Sequence, residues 1–352
     1  VAELFYSVSP ELHRLARLEK GEVVELDFEI PGRPSSLLGG IYYGRVVEVQ
    51  RPLRAAFVDI GEEKLGILPL YEGKLPPVKQ GDAVLIQVIR TENPLEGKGV
   101  RLTRLLSLSL GPLLYTPFVT GLSFSKKIKE KNLFMKLFDL GLGEGLIVRH
   151  WATLEDSLES TLAQLREEWE SIQSQLNVKP PTCISLGPDL LSRTLRSLSS
   201  SDLLTVDDRY LASKTQGKGI FSCESAFDER CEEAWESLLS NEVFLPQGGS
   251  LFIEEAHGLV VIDVNSQGGL RHIDSFNKKA IREALRQIRL RELGGKIVID
   301  LIGSPKELGS LLNGLMLPSD LEIWGLSFMG LLEMTRRRRR LSLPQRLKLH
   351  LN

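Results

Sequence analysis

Short apolar runs set off by turn residues dominate this chain, and helical periodicity takes over in only three stretches. Residues 1 to about 34 read as a strand-rich start, in which 21–30 alternate well enough for one strand, which Pro31-Gly32-Arg33-Pro34 breaks. From Gly39 to about Leu105 come five short candidate strands, at 41–49, 55–60, 66–68, 83–90 and 98–102. Turns such as Asp59-Ile60-Gly61 and Lys79-Gln80-Gly81-Asp82 part them. Strands that short and that closely spaced predict a small closed barrel of the OB type. A further strand falls at 145–149. The helical stretches are 154–176, 229–239 and 278–293. In the first, Leu158, Leu162, Leu165 and Trp169 recur at helical spacing, so Trp169 reads as core rather than as a ligand platform. In the last, Ile281, Leu285, Ile288 and Leu293 make the apolar stripe among arginines, and Gly294-Gly295 reads as its C-cap.

Two apolar strands that end alike bracket this last helix. The first reads Gly258-Leu-Val-Val-Ile-Asp263-Val-Asn265-Ser266, the second Gly295-Lys-Ile-Val-Ile-Asp300-Leu-Ile302. β-Branched runs suit strands buried on both faces. A strand, a right-handed helical crossover and a second parallel strand form a βαβ unit, which carries both aspartates to one sheet edge. Two carboxylates held side by side repel unless a proton or a cation lies between them. Oxygen-only ligation suits Mg²⁺, which keeps several waters and takes one or two carboxylates plus substrate phosphate. That pattern points to metal-assisted phosphodiester chemistry. A single strand-end aspartate more often caps a helix or closes a turn. The matched pair, with Asn265 on the same strand face as Asp263, shifts the weight to chemistry, and the amide can orient the carboxylate.

Composition narrows the partners. At 352 residues, with 42% hydrophobic and 26% charged side chains, the chain is an ordinary protein with room for several domains. A net charge of −2 excludes a general polyanion magnet, so nucleic-acid affinity has to come from local patches. No apolar stretch approaches the roughly 18–20 residues that span a bilayer, and the N-terminus has no signal-peptide core. Cys183, Cys223 and Cys231 form no Cys-x-x-Cys pair and the five histidines are scattered. Reduced structural thiols, no zinc site, no membrane contact and a cytoplasmic location are expected.

Other candidates are weaker singly. Phe57 offers a stacking face and Lys98, on a Gly-Lys-Gly loop, a phosphate contact, though barrels need core aromatics and loops carry lysines by default. Arg336 to Arg340 is a run of five arginines, read either as a solvated face or tail or as an RNA-phosphate contact. Lys126, Lys127, Lys129 and Lys131 enrich one loop. The Gly141-Leu-Gly143-Glu-Gly145 cluster precedes a strand, where a dinucleotide fingerprint would follow one, so it is rejected.

Together these segments resemble a known family. Leu245-Pro-Gln-Gly-Gly-Ser250, the stretch around Asp263, Arg289-Leu-Arg-Glu-Leu-Gly-Gly-Lys-Ile-Val-Ile-Asp300 and Gly330-Leu-Leu-Glu-Met-Thr-Arg336 are similar to the catalytic core of ribonuclease E/G. Gly40-Ile-Tyr-Tyr-Gly44, Ala55-Ala-Phe-Val-Asp-Ile-Gly61 and Gly66-Ile-Leu-Pro-Leu70 are similar to its S1 domain. The resemblance implies a multidomain α/β protein with an RNase H-like and DNase I-like core, an inserted OB-type S1 barrel and a mixed 5′-sensor-like region. The implied segments are 1–34 and 199–230 (RNase H-like), 35–105 (S1), 106–198 (sensor-like), 231–340 (DNase I-like, catalytic) and 341–352 (basic tail). By motif match, Asp263 and Asp300 hold Mg²⁺ and Asn265 positions the first of them. Phe57 and Lys98 contact RNA in the barrel, and Arg149 grips a 5′-monophosphate.

Departures from the family pattern qualify this. Ile67 stands where a second RNA-facing aromatic is usual, His150 follows the sensor arginine in place of Thr, and Gly303 stands where a further Asp is frequent. The paired cysteines of the family's zinc link and its small C-terminal domain have no counterpart, so no zinc-bridged oligomer is expected and the oligomeric state stays open. The expected function is a Mg²⁺-dependent endoribonuclease that cuts single-stranded RNA to 5′-phosphate and 3′-hydroxyl ends in RNA processing or decay. The alternative is a non-catalytic RNA-binding clamp or assembly factor of the same descent.

Overall fold

The computed structural model describes residues 2–32, 37–73, 75–94, 97–124, 128, 133, 135, 144–149, 151–153, 157–215, 217–222, 224–268, 272–303, 308–315, 317–318 and 320–351. Lys126, Lys127, Lys129, Lys131, Gly141, Gly143, His150 and Cys223 lie outside them. The chain divides into two compact units. One comprises 29–203 and 214–218, the other 2–28, 204–213 and 219–352.

The chain starts with three strands where alternation predicted one: β1 (Ala2–Val8), β2 (His13–Glu19) and β3 (Glu22–Glu29). The two-residue turn Lys20-Gly21 has both φ positive, at 54° and 78°, which suits the twist of a tight hairpin. β1 keeps an alternation of its own, with Leu4 and Tyr6 buried and Glu3 exposed, whereas Arg14, Arg17 and Glu19 break up the apolar pattern of β2.

The barrel follows as β4 (Ile41–Gln50), β5 (Ala55–Asp59), β6 (Gly66–Pro69), β7 (Ala83–Arg90) and β8 (Arg101–Thr103). Their order is β4-β5-β6-β8-β7, and β7 pairs back with β4 to close the wall. Tyr42, Val46, Ala56, Val58, Leu68, Ile86 and Leu102 fill the interior. Gly66 is required there, because a Cβ would run into the Leu102 side chain. This closed five-strand barrel is consistent with an S1/OB-like domain.

Beyond the barrel come β9 (Leu108–Leu110), β10 (Leu113–Tyr115), β11 (Gly121–Phe124) and β12 (Gly145–Val148), ordered β11-β12-β10-β9. Helix α1 (Leu158–Ser174) packs Leu158, Leu162, Leu165 and Ile172 into one core with Leu113, Leu146 and Val148. Trp169 joins that core from its rim, edge-on to Phe118 at 5.4 Å. Strand β13 (Thr182–Ser185) adds to the barrel beside β4. Helix α2 (Leu190–Ser197) begins at Asp189, whose carboxylate accepts the Ser192 N–H at 2.6 Å.

In the other unit, β14 (Leu203–Val206), α3 (Arg209–Ser213), β15 (Gly219–Phe221) and α4 (Glu229–Glu236) complete a sheet ordered β15-β14-β1-β2-β3. The remaining elements are β16 (Glu242–Phe244), β17 (Ser250–Glu255), β18 (Leu259–Asn265), α5 (Ile273–Leu290), β19 (Gly295–Asp300), α6 (Leu308–Leu312), β20 (Leu321–Leu326), β21 (Leu332–Arg336) and α7 (Leu343–Leu351). They build a six-stranded sheet ordered β16-β17-β18-β19-β21-β20. Helix α5 presses Phe276, Ala280, Ile281, Ala284, Leu285 and Ile288 onto Val260, Ile262, Ile297 and Ile299. From its opposite side Arg289 grips Glu19 at 2.6 and 3.0 Å, and Arg286 donates to the Val23 carbonyl at 2.7 Å. The helix thus lies between the two sheets of this unit.

Helix α5 starts five residues before the predicted point, and its end differs too. The cap is Arg291. Glu292, at φ 54°, takes the left-handed position, while Leu293 N–H donates to Ile288 O (2.9 Å) and Glu292 N–H to Arg289 O (3.1 Å). That is a Schellman closure without glycine, at a cost of about 1–2 kcal/mol. The Glu292 carboxylate repays it through Arg340 at 2.7 Å and Arg346 at 2.9 Å.

The arginine run is likewise not a uniform charged face. Arg336 donates to Asp320 and to the carbonyls of Ile288 and Leu293, and Arg338 donates to Gly294 O. Arg340 pairs with Asp27 at 2.6 Å as well as with Glu292. Arg337 and Arg339 alternate outward and are exposed. Within the segment read as a basic C-terminal tail, residues 341–351 pack into the fold. Leu341, Leu343, Pro344 and Leu347 are buried, and Arg346 donates to Asp27 at 3.0 Å. No helix among the described residues is long and apolar enough to cross a membrane.

Candidate active site

Strands β18 and β19 run parallel and in register, and Asp263 stands opposite Asp300. Neighbouring strands lie about 4.8 Å apart, so these two backbones are one strand spacing from each other. Val260, Ile262, Val264, Ile297 and Ile299 point into the core beneath α5. Period-two alternation therefore sends Asp263, Asn265 and Asp300 to the opposite face, at the C-terminal ends of both strands. Asp263 is half-buried, and Asn265 and Asp300 are exposed. The Asn265 amide donates to Asp263 Oδ2 at 2.8 Å.

Among the described residues, no lysine, arginine or histidine ion-pairs with either carboxylate, and no cluster of three or more His, Cys, Asp or Glu side chains occurs. Two adjacent carboxylates with no protein cation fit a hard divalent ion that takes its other ligands from water and phosphate. They do not fit a closed, all-protein metal cage. The residues that would hold such an ion are Asp263 and Asp300.

Sequence reasoning missed Asn277. It is fully buried on α5, donates to Ile302 O at 2.9 Å and accepts the Ile302 N–H at 3.1 Å through Oδ1. This two-point grip fixes the backbone just beyond Asp300. The signal was present: Asn277 is a polar residue in the buried stripe of an amphipathic helix, next to Phe276. Gly303 follows at φ +73°, a conformation an aspartate there would adopt under strain.

The other candidates belong to the first unit. Phe57 points out of the barrel wall, half-buried, since Ala56 and Val58 take the inward positions. It is the cross-strand partner of Ile67, which in turn pairs with Arg101. Lys98 sits in the hairpin leading to β8, where its backbone exchanges two hydrogen bonds with Asn93 at 2.8 and 3.0 Å. Arg149 follows β12. Its N–H donates to Pro112 O at 2.9 Å, its guanidinium reaches Gly111 O at 3.4 Å, and Cζ lies 5.1 Å from the Trp151 ring centroid. Asp263, Asn265 and Asp300 are brought together; Phe57, Lys98 and Arg149 are in the other compact unit.

With this geometry in hand, sequence comparison decides the descent. A model of the Ribonuclease E/G family matches residues 107–339, more than half of the chain. The chain belongs to the Ribonuclease E/G family. Ribonuclease G of Escherichia coli (strain K12) is 29% identical over 97% of this chain and 81% of its own length. Ribonuclease E of Haemophilus influenzae is 29% identical over 95% of this chain, which spans 41% of that protein. Ribonuclease E of Synechocystis is 30% identical over 94% of this chain, which spans 56% of it. The ribonuclease E/G match takes in Arg149, Asp263, Asn265 and Asp300, and the similarity to ribonuclease G extends through most of the barrel as well.

Proposed function

We propose that this chain is an endoribonuclease that cuts single-stranded RNA in RNA processing or decay, with a divalent ion, Mg²⁺, held by Asp263 and Asp300. The observation that carries this is the in-register pairing of the two aspartates, with the Asn265 amide fixed to Asp263. Bound there, Mg²⁺ supplies an activated water and charge neutralisation at the scissile phosphate, giving 5′-phosphate and 3′-hydroxyl ends. The chain's own contribution is orientation. Asn265 keeps one Asp263 oxygen engaged so that the other faces the ion, and Asn277 holds the backbone that follows Asp300. In the same reading, the barrel is an S1 domain that contacts RNA through Phe57 and Lys98, and Arg149 with its surroundings senses a 5′-monophosphate. The five- and six-stranded sheets are the RNase H-like and DNase I-like parts. The free thiols Cys183 and Cys231 suit work in the cytoplasm.

Labelled single-stranded RNA incubated with Mg²⁺ and then with EDTA tests the reading. Metal-dependent cutting that disappears in Asp263→Asn and Asp300→Asn supports it. RNA binding without cutting in the unaltered chain would make it a clamp instead. Equal cutting of 5′-monophosphate and 5′-triphosphate RNA would remove the sensor role from Arg149.

A further inference from the structure

The uncovered face of the six-stranded sheet carries Trp324 at its β20 edge, where the indole N–H donates to Thr335 Oγ1 at 3.1 Å, and two aromatic rings on the aspartate side that the chemistry above does not use. Phe252 on β17 stands directly opposite Asp263, so Phe252, Asp263 and Asp300 form one row across three adjacent strands. Phe244 on the edge strand β16 pairs with Ser250, which pairs with Asn265, so it stands diagonally beside Phe252. Both rings are exposed, Phe252 by 39% and Phe244 by 73%. The core lies on the other side, where Leu251 and Ile253 are buried. An edge strand normally carries charge or proline on its solvent face to deter pairing, so a large bare ring there calls for a partner.

The charge around these rings says what kind of partner. Glu242, Glu254, Glu322 and Glu333 share the face with the two aspartates, and Lys296 is the one basic strand residue pointing that way among the described residues. Such a surface repels phosphate everywhere except where a cation sits. A single-stranded RNA held here therefore needs an uncharged anchor, and a base laid on an aromatic ring provides one. Phe252 is about one strand spacing from Asp263. A nucleotide whose phosphate reaches the carboxylate pair can thus rest its base, or its neighbour's, on that ring.

We infer that Phe252, backed by Phe244, is a stacking ledge for the base of a nucleotide adjoining the scissile linkage, on the β17 side of the carboxylate pair. This rests on the RNA-cleaving reading and adds a base-binding subsite to it. It also relocates stacking, since the barrel wall has aliphatic Ile67 beside Phe57.

The test is a cycle between protein and substrate. A short single-stranded RNA is cut by the unaltered protein and its cleavage site mapped. Binding is then measured in EDTA by fluorescence anisotropy, with intact RNA and with RNA carrying an abasic ribose on either side of that site. One abasic position should weaken binding about tenfold to a hundredfold. Phe252→Leu, which keeps apolar bulk, should weaken intact RNA by a similar factor and lose little more with the abasic RNA. Phe252→Trp should restore affinity, and in Mg²⁺ the Leu variant should raise KM while kcat holds. Additive losses, or indifference of the unaltered protein to both abasic positions, overturn the ledge. A changed oligomeric state in Phe244→Ala with RNA affinity intact also overturns it, and makes the face a contact between copies. Base-dependent binding of the known cleavage-site sequence of a related ribonuclease, without any cutting, leaves the ledge standing and removes the nuclease reading. Cutting without base dependence does the reverse.

Discussion

The barrel wall and the six-stranded sheet both present a row of side chains on an open face, yet the rows are composed by different rules. In the barrel, β5 runs against β6, so Phe57 meets Ile67 from the returning arm of a hairpin. In the sheet, β18 and β19 run the same way, so Asp263 meets the residue at the equivalent position of the next strand, Asp300. An antiparallel hairpin juxtaposes unlike positions and varies with loop length; a parallel βαβ step juxtaposes like positions and keeps them at one sheet end. The first arrangement suits a broad contact surface. The second builds a two-carboxylate centre from two copies of one short pattern.

The largest expected effect breaks this contrast on the sheet side. Asp263→Asn or Asp300→Asn should lower kcat by about a thousandfold or more, equivalent to ~4 kcal/mol in the barrier, while RNA binding in EDTA is kept. Asn265→Ala should cost about tenfold to a hundredfold in metal affinity or activity, as loss of an orienting partner usually does. A product assay with a Mg²⁺ titration reads both.

Next comes the frame that holds the sheet. Arg340 is buried, which opposes its charge, but Asp27 and Glu292 outweigh burial and push its pKa up. Arg346 is pulled down by burial and then by Arg340. The four side chains balance, so removing one strands the rest: Asp27→Ala should destabilise the protein by about 3 kcal/mol in chemical denaturation. The barrel has its own buried pair, Arg104–Glu72 at 3.7 Å, which shares no side chain with the Asp27 group, so Asp27→Ala should leave RNA contacts made by Phe57 intact.

On the barrel side the effects are smaller. Phe57→Ala should weaken single-stranded RNA binding about fivefold to tenfold with kcat unchanged, and Ile67→Phe should strengthen it by about as much. If Ile67→Phe has no effect while Phe57→Ala does, stacking there depends on one ring and the cross-strand row is irrelevant.

The smallest effect is a pH dependence. The Arg289 hydrogen bonds hold Glu19 below the ordinary carboxylate value of 4.5. A depressed folded pKa stabilises the protein above 4.5, and this contribution is lost as pH falls from there through the folded value. Glu19→Gln should therefore lower Tm slightly at neutral pH, by about 1 kcal/mol of stability at most, and flatten the decline of Tm below pH 4.5. An unchanged acid limb would show that this pair contributes nothing.

Alternation and β-branched runs made the barrel strands and the β18–α5–β19 step legible, because burial imposes a period on the chain. The same logic failed where polar residues are buried in pairs. Arg336, Arg338 and Arg340 read as a charged run because their acceptors, Asp320, Gly294 O, Asp27 and Glu292, lie far away in sequence or on the backbone. Gly294 looked like the helix cap because glycine accepts the left-handed conformation most readily. Glu292 takes that position because two arginines await its carboxylate. Asn277 was passed over because its acceptor and donor are backbone atoms of Ile302.

The sequence by itself determined that two strands would end in aspartate around a helix, that a barrel would precede them, and which family the motifs resemble. Those are consequences of local periodicity and short motifs. Only the tertiary structure decided the register that sets Asp263 beside Asp300, the row that puts Phe252 next to them, and the burial of arginines that looked solvated. Register and ion pairing are relations between segments distant in the chain, and no local pattern encodes which distant partner will be met.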